Sequence, residues 1–147
     1  MDRGLAVALT AIAGGLVALQ APINSTLGKQ VGTFQAAFVS FTIGTLFLAL
    51  IASLAKGGLG QVGEVRHLSW YYLTGGLLGA AYVTTVLVTV RTLGAGGAVA
   101  ATIAGQLSMS VAIDHFGWLG VNRDPVSALK LVGVALLAVG TYLVVRE

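Results

Sequence analysis

The 147-residue sequence contains no cysteine and little charge, and these absences narrow its function before any motif is considered. Without cysteine there is no disulfide framework, no thiolate metal site and no thiol nucleophile. The two histidines, His67 and His115, lie in separate loops and lack the spacing of metal ligands. No GxxxxGK[ST] phosphate loop is present, which excludes ATP hydrolysis by that route. We therefore expect no enzymatic activity, no cofactor and no metal.

Charged residues make up only 9% of the sequence, whereas 56% of the residues are hydrophobic and the mean hydropathy is +0.93. A soluble domain of this size would not carry so apolar a surface. The pI of about 9.6 is compatible with nucleic-acid binding, but the Lys and Arg residues stand singly near the ends of apolar stretches and form no basic patch. We interpret them as membrane anchors, and we expect the lipid bilayer, not nucleic acid, as the partner.

Five long uncharged stretches separate these charges. About 20 apolar residues cross the hydrocarbon core, at about 1.5 Å per residue, and four of the stretches meet that length alone. For the fifth, Asp124 and Pro125 fit an N-cap and a first helical residue, and the long side chain of Lys130 can reach back to the headgroups. The sequence predicts an all-α integral membrane protein with a single transmembrane domain over residues 1–147, whose five helices cover about residues 4–27, 34–55, 69–90, 95–113 and 125–145.

An odd number of helices puts the two termini on opposite sides of the membrane, so the loop charges can be assigned to faces. The N-terminal face receives five Lys and Arg residues and the opposite face three. Because orientation follows this asymmetry, so small a difference permits insertion in both directions, which is dual topology. A chain inserted both ways can pair with its inverted copy, and we expect such an antiparallel homodimer, a bundle of ten helices. The alternative, with equal weight, is one orientation with the N-terminal face in the cytoplasm.

Polar residues recur every four positions in the fourth helix, at Thr102, Gln106, Ser110 and Asp114, and therefore share one face. Lipid cannot satisfy the mid-span amide of Gln106, which should face protein or a water-filled cavity. The alternative is an interhelical hydrogen bond that only holds helices together. Asp114 and His115, at the interface end, are candidates for coupling or gating, although capping or pairing with a loop arginine suits Asp114 equally.

Helix one carries Gln20 and Asn24 one turn apart, on either side of Pro22. Gln20 lies about 24 Å along its helix and Gln106 about 20 Å along its own. Since the two helices begin on opposite faces, the glutamines of two inverted copies reach nearly the same depth and can line one central pathway. Alternatively, Gln20 and Asn24 satisfy the backbone carbonyl that the proline leaves free.

Further polar candidates lie on helices two and three. Tyr82 sits deep in its span, where its hydroxyl needs a partner and its ring can contact an aromatic or cationic substrate. Serine and threonine can instead bond to a carbonyl of their own helix. No carboxylate lies at mid-membrane, where a proton-coupled exporter typically places one. The candidate substrate-binding residues are Gln20, Asn24, Ser40, Tyr82, Thr85, Thr102, Gln106 and Ser110.

Five segments follow one another along the chain: QAPINSTLG from Gln20, SFTIGT from Ser40, GGLLGAAYV from Gly75, GQLSMS from Gly105 and IDHFGW from Ile113. Together they resemble the YdcZ-type small membrane proteins of the drug/metabolite transporter superfamily, and the last two segments are the most specific. The resemblance implies a five-helix protein of the bacterial inner membrane, half of the superfamily's ten-helix architecture, whose partner is a second copy or a homologous paired subunit.

The chain also resembles, more distantly, the small multidrug resistance exporters, which work as antiparallel dimers. It differs from them in having a fifth helix and no glutamate in helix one, which argues against their proton-for-cation exchange. We predict a small-molecule secondary transporter, an exporter of the inner membrane, that works by alternating access as a dual-topology dimer. A passive channel with the same dimer architecture and an accessory membrane subunit remain the alternatives.

Overall fold

Helices account for every regular element in the described part of the chain. The computed structural model describes residues 2–56 and 58–146. The described residues form four long helices: α1 (Arg3–Val31), α2 (Thr33–Leu54), α3 (Thr74–Phe116) and α4 (Ala128–Val145). The segments that join them include short 3-10 helices at Gly58–His67, Trp70–Leu73 and Trp118–Gly120. Each long helix lies in a segment long and apolar enough to cross a membrane. The predicted all-helical membrane protein is confirmed.

Helix α3 is too long for a single crossing, since its 43 residues extend about 65 Å and the hydrocarbon core is about 30 Å thick. Gly94 interrupts it with non-helical angles, φ 68° and ψ 172°. Glycine adopts a positive φ without steric strain. The break leaves a first half (residues 74–93) and a second half (residues 95–116), each long enough to span the hydrocarbon core. The described residues therefore hold five α-helical segments, and the sequence predicts five membrane helices.

The end of α1 differs from the sequence prediction. The first helix is predicted to end near residue 27, but α1 continues past Lys29 to Val31. A single residue, Gly32 with φ 99°, separates it from α2. Because glycine tolerates this angle, no further loop residues are needed between the two helices.

The start of α4 is also different, and Asp124 and Pro125 are not its cap. The N-cap is Ser127, whose side-chain oxygen accepts a hydrogen bond from the Lys130 backbone N–H at 3.2 Å. Lys130 Nζ instead reaches back to Asp124 Oδ2 at 2.6 Å. A serine at the N-cap satisfies one of the free N–H groups of the first turn, so the helix begins three residues later than predicted, at Ala128.

The chain divides into two compact units, Met1–Arg91 and Thr92–Glu147. In the first unit, α1, α2 and the first half of α3 pack around a small apolar core. This core consists of Ala36, Ala37, Val83 and Leu87, with Leu27 and Tyr82 against it. The prediction of one domain over residues 1–147 stays a prediction, and its residues 1, 57 and 147 lie outside the described residues.

The second unit pairs α4 with the second half of α3. Thr141 Oγ1 donates a hydrogen bond to the Ala100 carbonyl at 3.1 Å, and a Cβ at Gly97 would lie 3.5 Å from Val145 Cγ2. At the other end, the Asp124 N–H donates to the Asp114 carbonyl at 2.8 Å. The start of one helix thus meets the end of the other, so the two run antiparallel.

Many large apolar side chains of the long helices are exposed. Leu54 and Leu129, for example, are 80% and 84% exposed, which suits side chains that face lipid. Trp70, Tyr71 and Tyr72 are exposed just before α3. Aromatic side chains at the end of a span favour the headgroup region.

Candidate functional site

Three of the predicted site residues, Gln20, Asn24 and Tyr82, meet around one recess in the first unit. The recess lies between α1 and the first half of α3 and has a volume of about 10 Å³. A space of that size holds about one water molecule or one oxygen of a ligand. Its other lining residues are apolar: Val17, Ala21, Val83, Val86 and Leu87.

Asn24 is the buried polar group of this recess. Only 5% of the residue is exposed, and its Nδ2 has no hydrogen-bond partner among the described residues. An unpaired buried donor costs about 1–3 kcal/mol, so native structures contain few of them. The Nδ2 donor therefore does not bond to the carbonyl that Pro22 leaves free, which was the alternative for this residue. Asn24 is one of the residues that line the recess.

Gln20 and Tyr82 extend the recess toward the surface. Gln20 is exposed and Tyr82 is half-buried, so the polar lining runs from the surface at Gln20 to the interior at Asn24. No charged residue lines the recess, and the sequence has none between Arg3 and Lys29 or between residues 67 and 91. The recess thus offers hydrogen bonds without charge.

Ser40 and Thr85 do not line this recess. Thr85 Oγ1 donates to the Ala81 carbonyl at 2.9 Å, a bond within its own helix of the kind that serine and threonine often form. Ser40 lies half-buried on α2. As substrate contacts, both residues stay predictions.

The predicted polar stripe lies on the second half of α3, in the second unit. Thr102 is half-buried, whereas Gln106 and Ser110 are exposed. Ser108, within the same stretch, donates its hydroxyl to the Ala104 carbonyl at 2.8 Å and so bonds within its own helix. Where lipid covers an exposed amide of a membrane-spanning helix, the amide finds no hydrogen-bond partner.

Asp114 and His115 are half-buried near the end of α3. His115 Nδ1 accepts a hydrogen bond from the Val126 N–H at 3.2 Å, and the His115 carbonyl accepts one from Arg123 Nε at 3.1 Å. Arg123 therefore bonds to the backbone, and in the described residues it forms no ion pair with Asp114. These bonds hold the segment before α4 against the end of α3. Coupling or gating by Asp114 and His115 stays a prediction.

Arg91 makes contacts that sequence reasoning missed. Its guanidinium donates long hydrogen bonds to Ser25 Oγ at 3.5 Å and Thr33 Oγ1 at 3.3 Å, which link the ends of three helices. Gly28 lies directly beneath it, since a Cβ there would be 2.9 Å from Arg91 Nη2 and 3.0 Å from Leu87 Cδ2. The spacing of Ser25 and Gly28 on one helix face was the available signal, but it does not reveal which residue packs against them.

A family model described as "Putative inner membrane exporter, YdcZ" matches residues 5–143. The chain belongs to the YdcZ family. A relative in this family is the inner membrane protein YdcZ of Escherichia coli (strain K12), which is 28% identical over 150 residues, covering 100% of this chain and 99% of the relative. No solved structure matches the chain significantly.

Family membership confirms the resemblance seen in the sequence. Together with the membrane-spanning helices, it establishes a multi-pass protein of the inner membrane. The family is described as one of exporters and not of enzymes, which supports transport as the function class of this chain.

Proposed function

We propose that this protein is a small-molecule secondary exporter that works by alternating access as an antiparallel homodimer. The observation that carries the proposal is the exposure of Gln106 in the single chain. A mid-span amide that faces lipid loses its hydrogen bonds to water without replacement. A partner that covers Gln106 with polar groups or with a water-filled path removes this cost.

An inverted copy is the partner that best fits Gln106. With five crossings, as the sequence predicts, Gln20 and Gln106 lie on helices that enter the membrane from opposite faces, and inverting one copy would bring the two amides to similar depth. Two repeats of opposite topology around a midplane site are a recurring basis of alternating access. The difference of five to three in Lys and Arg between the faces is small enough to allow both insertions.

In this proposal the pathway lies between the two copies. Gln20, Asn24 and Tyr82 of one copy face Gln106 and Ser110 of the other, and the ten helices together enclose the substrate. We favour a transporter over a channel because the family is described as one of exporters.

Flux in proteoliposomes tests the proposal, with radiolabelled xylitol and tetraethylammonium as neutral and cationic probes. We expect saturable flux of at least one probe and no single-channel currents. Gln106→Leu should lower the flux at least tenfold because the pathway loses a polar lining group. The matched control is Ser108→Ala, whose hydroxyl is already bonded to its own helix. Flux that Gln106→Leu leaves unchanged contradicts the assigned pathway, and unsaturable flux with channel currents contradicts alternating access.

A further inference from the structure

The recess between α1 and the first half of α3 is lined by side chains that can form hydrogen bonds but carry no charge. Its polar lining consists of two amides and a phenol, Asn24, Gln20 and Tyr82. The Asn24 donor is buried and unpartnered in the described part of the chain. A donor in this state is best satisfied by an acceptor oxygen, since an oxygen of a hydroxyl or carbonyl fits a space of about 10 Å³.

The same recess is unsuited to an ion. Its remaining five lining residues are aliphatic, and no carboxylate, lysine or arginine occurs in the stretches that form its two walls, residues 4–28 and 68–90. A charge moved from water into such surroundings loses its hydration without gaining a counter-charge. A cation–π contact with the Tyr82 ring, which lines the recess, is weaker than the hydration that an ion loses on leaving water.

We propose that the Asn24 recess binds one oxygen of an uncharged substrate, a hydroxyl or carbonyl group on an aliphatic body, and that the site discriminates against cations. The inference rests on the proposed function, since it names the substrate class of that exporter. Asn24 donates to the substrate oxygen at the buried end. Gln20 contacts the part of the molecule that remains at the mouth of the recess, and the aliphatic walls contact its carbon chain.

Asparagine-selective ¹⁵N labelling gives a direct test. The sequence contains two asparagines, Asn24 and Asn122, so the full-length protein in lipid nanodiscs gives two side-chain amide signals. The variant Asn24→Leu assigns them, and Asn122, in the segment before α4, serves as an internal control. The probes are 1,2-hexanediol and hexyltrimethylammonium, which share a six-carbon chain and differ in the charge of the head group.

We expect 1,2-hexanediol to shift the Asn24 signal saturably and to leave Asn122 unchanged, while hexyltrimethylammonium shifts neither. Equal shifts of Asn24 by both probes overturn the discrimination against cations. An Asn24 signal that responds to neither probe overturns the inference and makes the recess the site of a structural water only.

The variant Asn24→Leu separates a binding role from a structural one. Leucine fills the recess without an unpaired donor, so the variant should fold with unchanged or higher thermal stability. Its affinity for 1,2-hexanediol should fall about tenfold, which corresponds to about 1.4 kcal/mol. Lower thermal stability with unchanged affinity would overturn the inference, because Asn24 would then serve folding alone.

The proteoliposome flux of the same preparation distinguishes the two proposals. If the wild-type protein transports a probe but the Asn24 signal responds to neither amphiphile, only the inference about the recess fails. If Asn24 responds and no probe is transported, the recess binds a neutral oxygen but the exporter proposal fails.

Discussion

Replacing Gly28 by alanine tests the packing of the first unit most sharply, because two effects of known size oppose each other there. Alanine favours an α-helix over glycine by about 1 kcal/mol. The added Cβ, however, would lie 3.0 Å from Leu87 Cδ2 and 2.9 Å from Arg91 Nη2. Overpacking of this kind costs about 1–3 kcal/mol.

We expect the steric clash to outweigh the gain in helix propensity, because the Leu87 side chain has little space into which it can move. Only 1% of Leu87 is exposed, at the centre of the three-helix core, whereas Arg91 is exposed and can move aside. We expect the free energy of unfolding of Gly28→Ala to fall by up to about 2 kcal/mol. The matched control Gly14→Ala, on the same helix, meets no atom within 4 Å and should be unchanged or more stable.

Unfolding in mixed micelles of increasing SDS content, followed by circular dichroism, measures both variants. A double-mutant cycle then identifies the clash. Leu87→Val should lower the free energy of unfolding by less in the Gly28→Ala background than in the wild type. A clash between residues 28 and 87 is ruled out if Gly28→Ala is as stable as Gly14→Ala, or if the cycle shows no coupling between these two residues.

Three further predictions concern the second unit. Thr141→Val removes the interhelical hydrogen bond to the Ala100 carbonyl while keeping the side-chain shape, and should lower the free energy of unfolding by about 0.6 kcal/mol, as such bonds average in membranes. Ser127→Ala removes the N-cap of α4 and should lower the free energy of unfolding by about 1 kcal/mol. Asp124→Asn weakens the ion pair between exposed Asp124 and half-buried Lys130 and should lower the free energy of unfolding by less than Ser127→Ala does. The same SDS titrations measure all three variants.

The control for Thr141→Val is Thr42→Val. Thr42 Oγ1 donates to the Phe38 carbonyl of its own helix at 2.8 Å, so its loss removes no contact between helices. If the two valine variants lose equal stability, the bond between α4 and α3 contributes nothing specific. If Asp124→Asn costs as much as Ser127→Ala, the assignment of Ser127 as the effective cap is wrong.

The number of membrane segments could be predicted from the sequence because length and apolarity are direct requirements of the bilayer. The helix ends could not be predicted equally well. Whether the chain caps α4 with Asp124 or Ser127 depends on hydrogen bonds worth about 1 kcal/mol. At the end of α1, one glycine at residue 32 suffices for a break, and the sequence pattern does not distinguish that break from a longer loop.

Only part of the candidate site could be predicted from the sequence, because the sequence shows which residues are polar but not which helices pack together. Gln20 and Asn24 stand out as polar residues in an apolar helix, and the structure brings Tyr82 to the same recess. Tyr82 is 58 residues further along the chain than Asn24, and only helix packing decides whether they meet. The local bond of Thr85 and the contacts of Arg91 depend on the same packing, which periodicity alone does not contain.

Cross-linking between two copies tests whether the protein forms an inverted homodimer with a shared pathway. The chain has no native cysteine, so Gln20→Cys and Gln106→Cys can be co-expressed with different tags and treated in membranes with a short bismaleimide. We expect a cross-linked dimer that carries both tags. No such product should form when Gln20→Cys is paired with Phe34→Cys, because the start of α2 in the inverted copy lies near the face where α1 of the first copy begins, far in depth from Gln20. A dimer without the mixed Gln20–Gln106 product, or the absence of any dimer, would contradict the inverted homodimer.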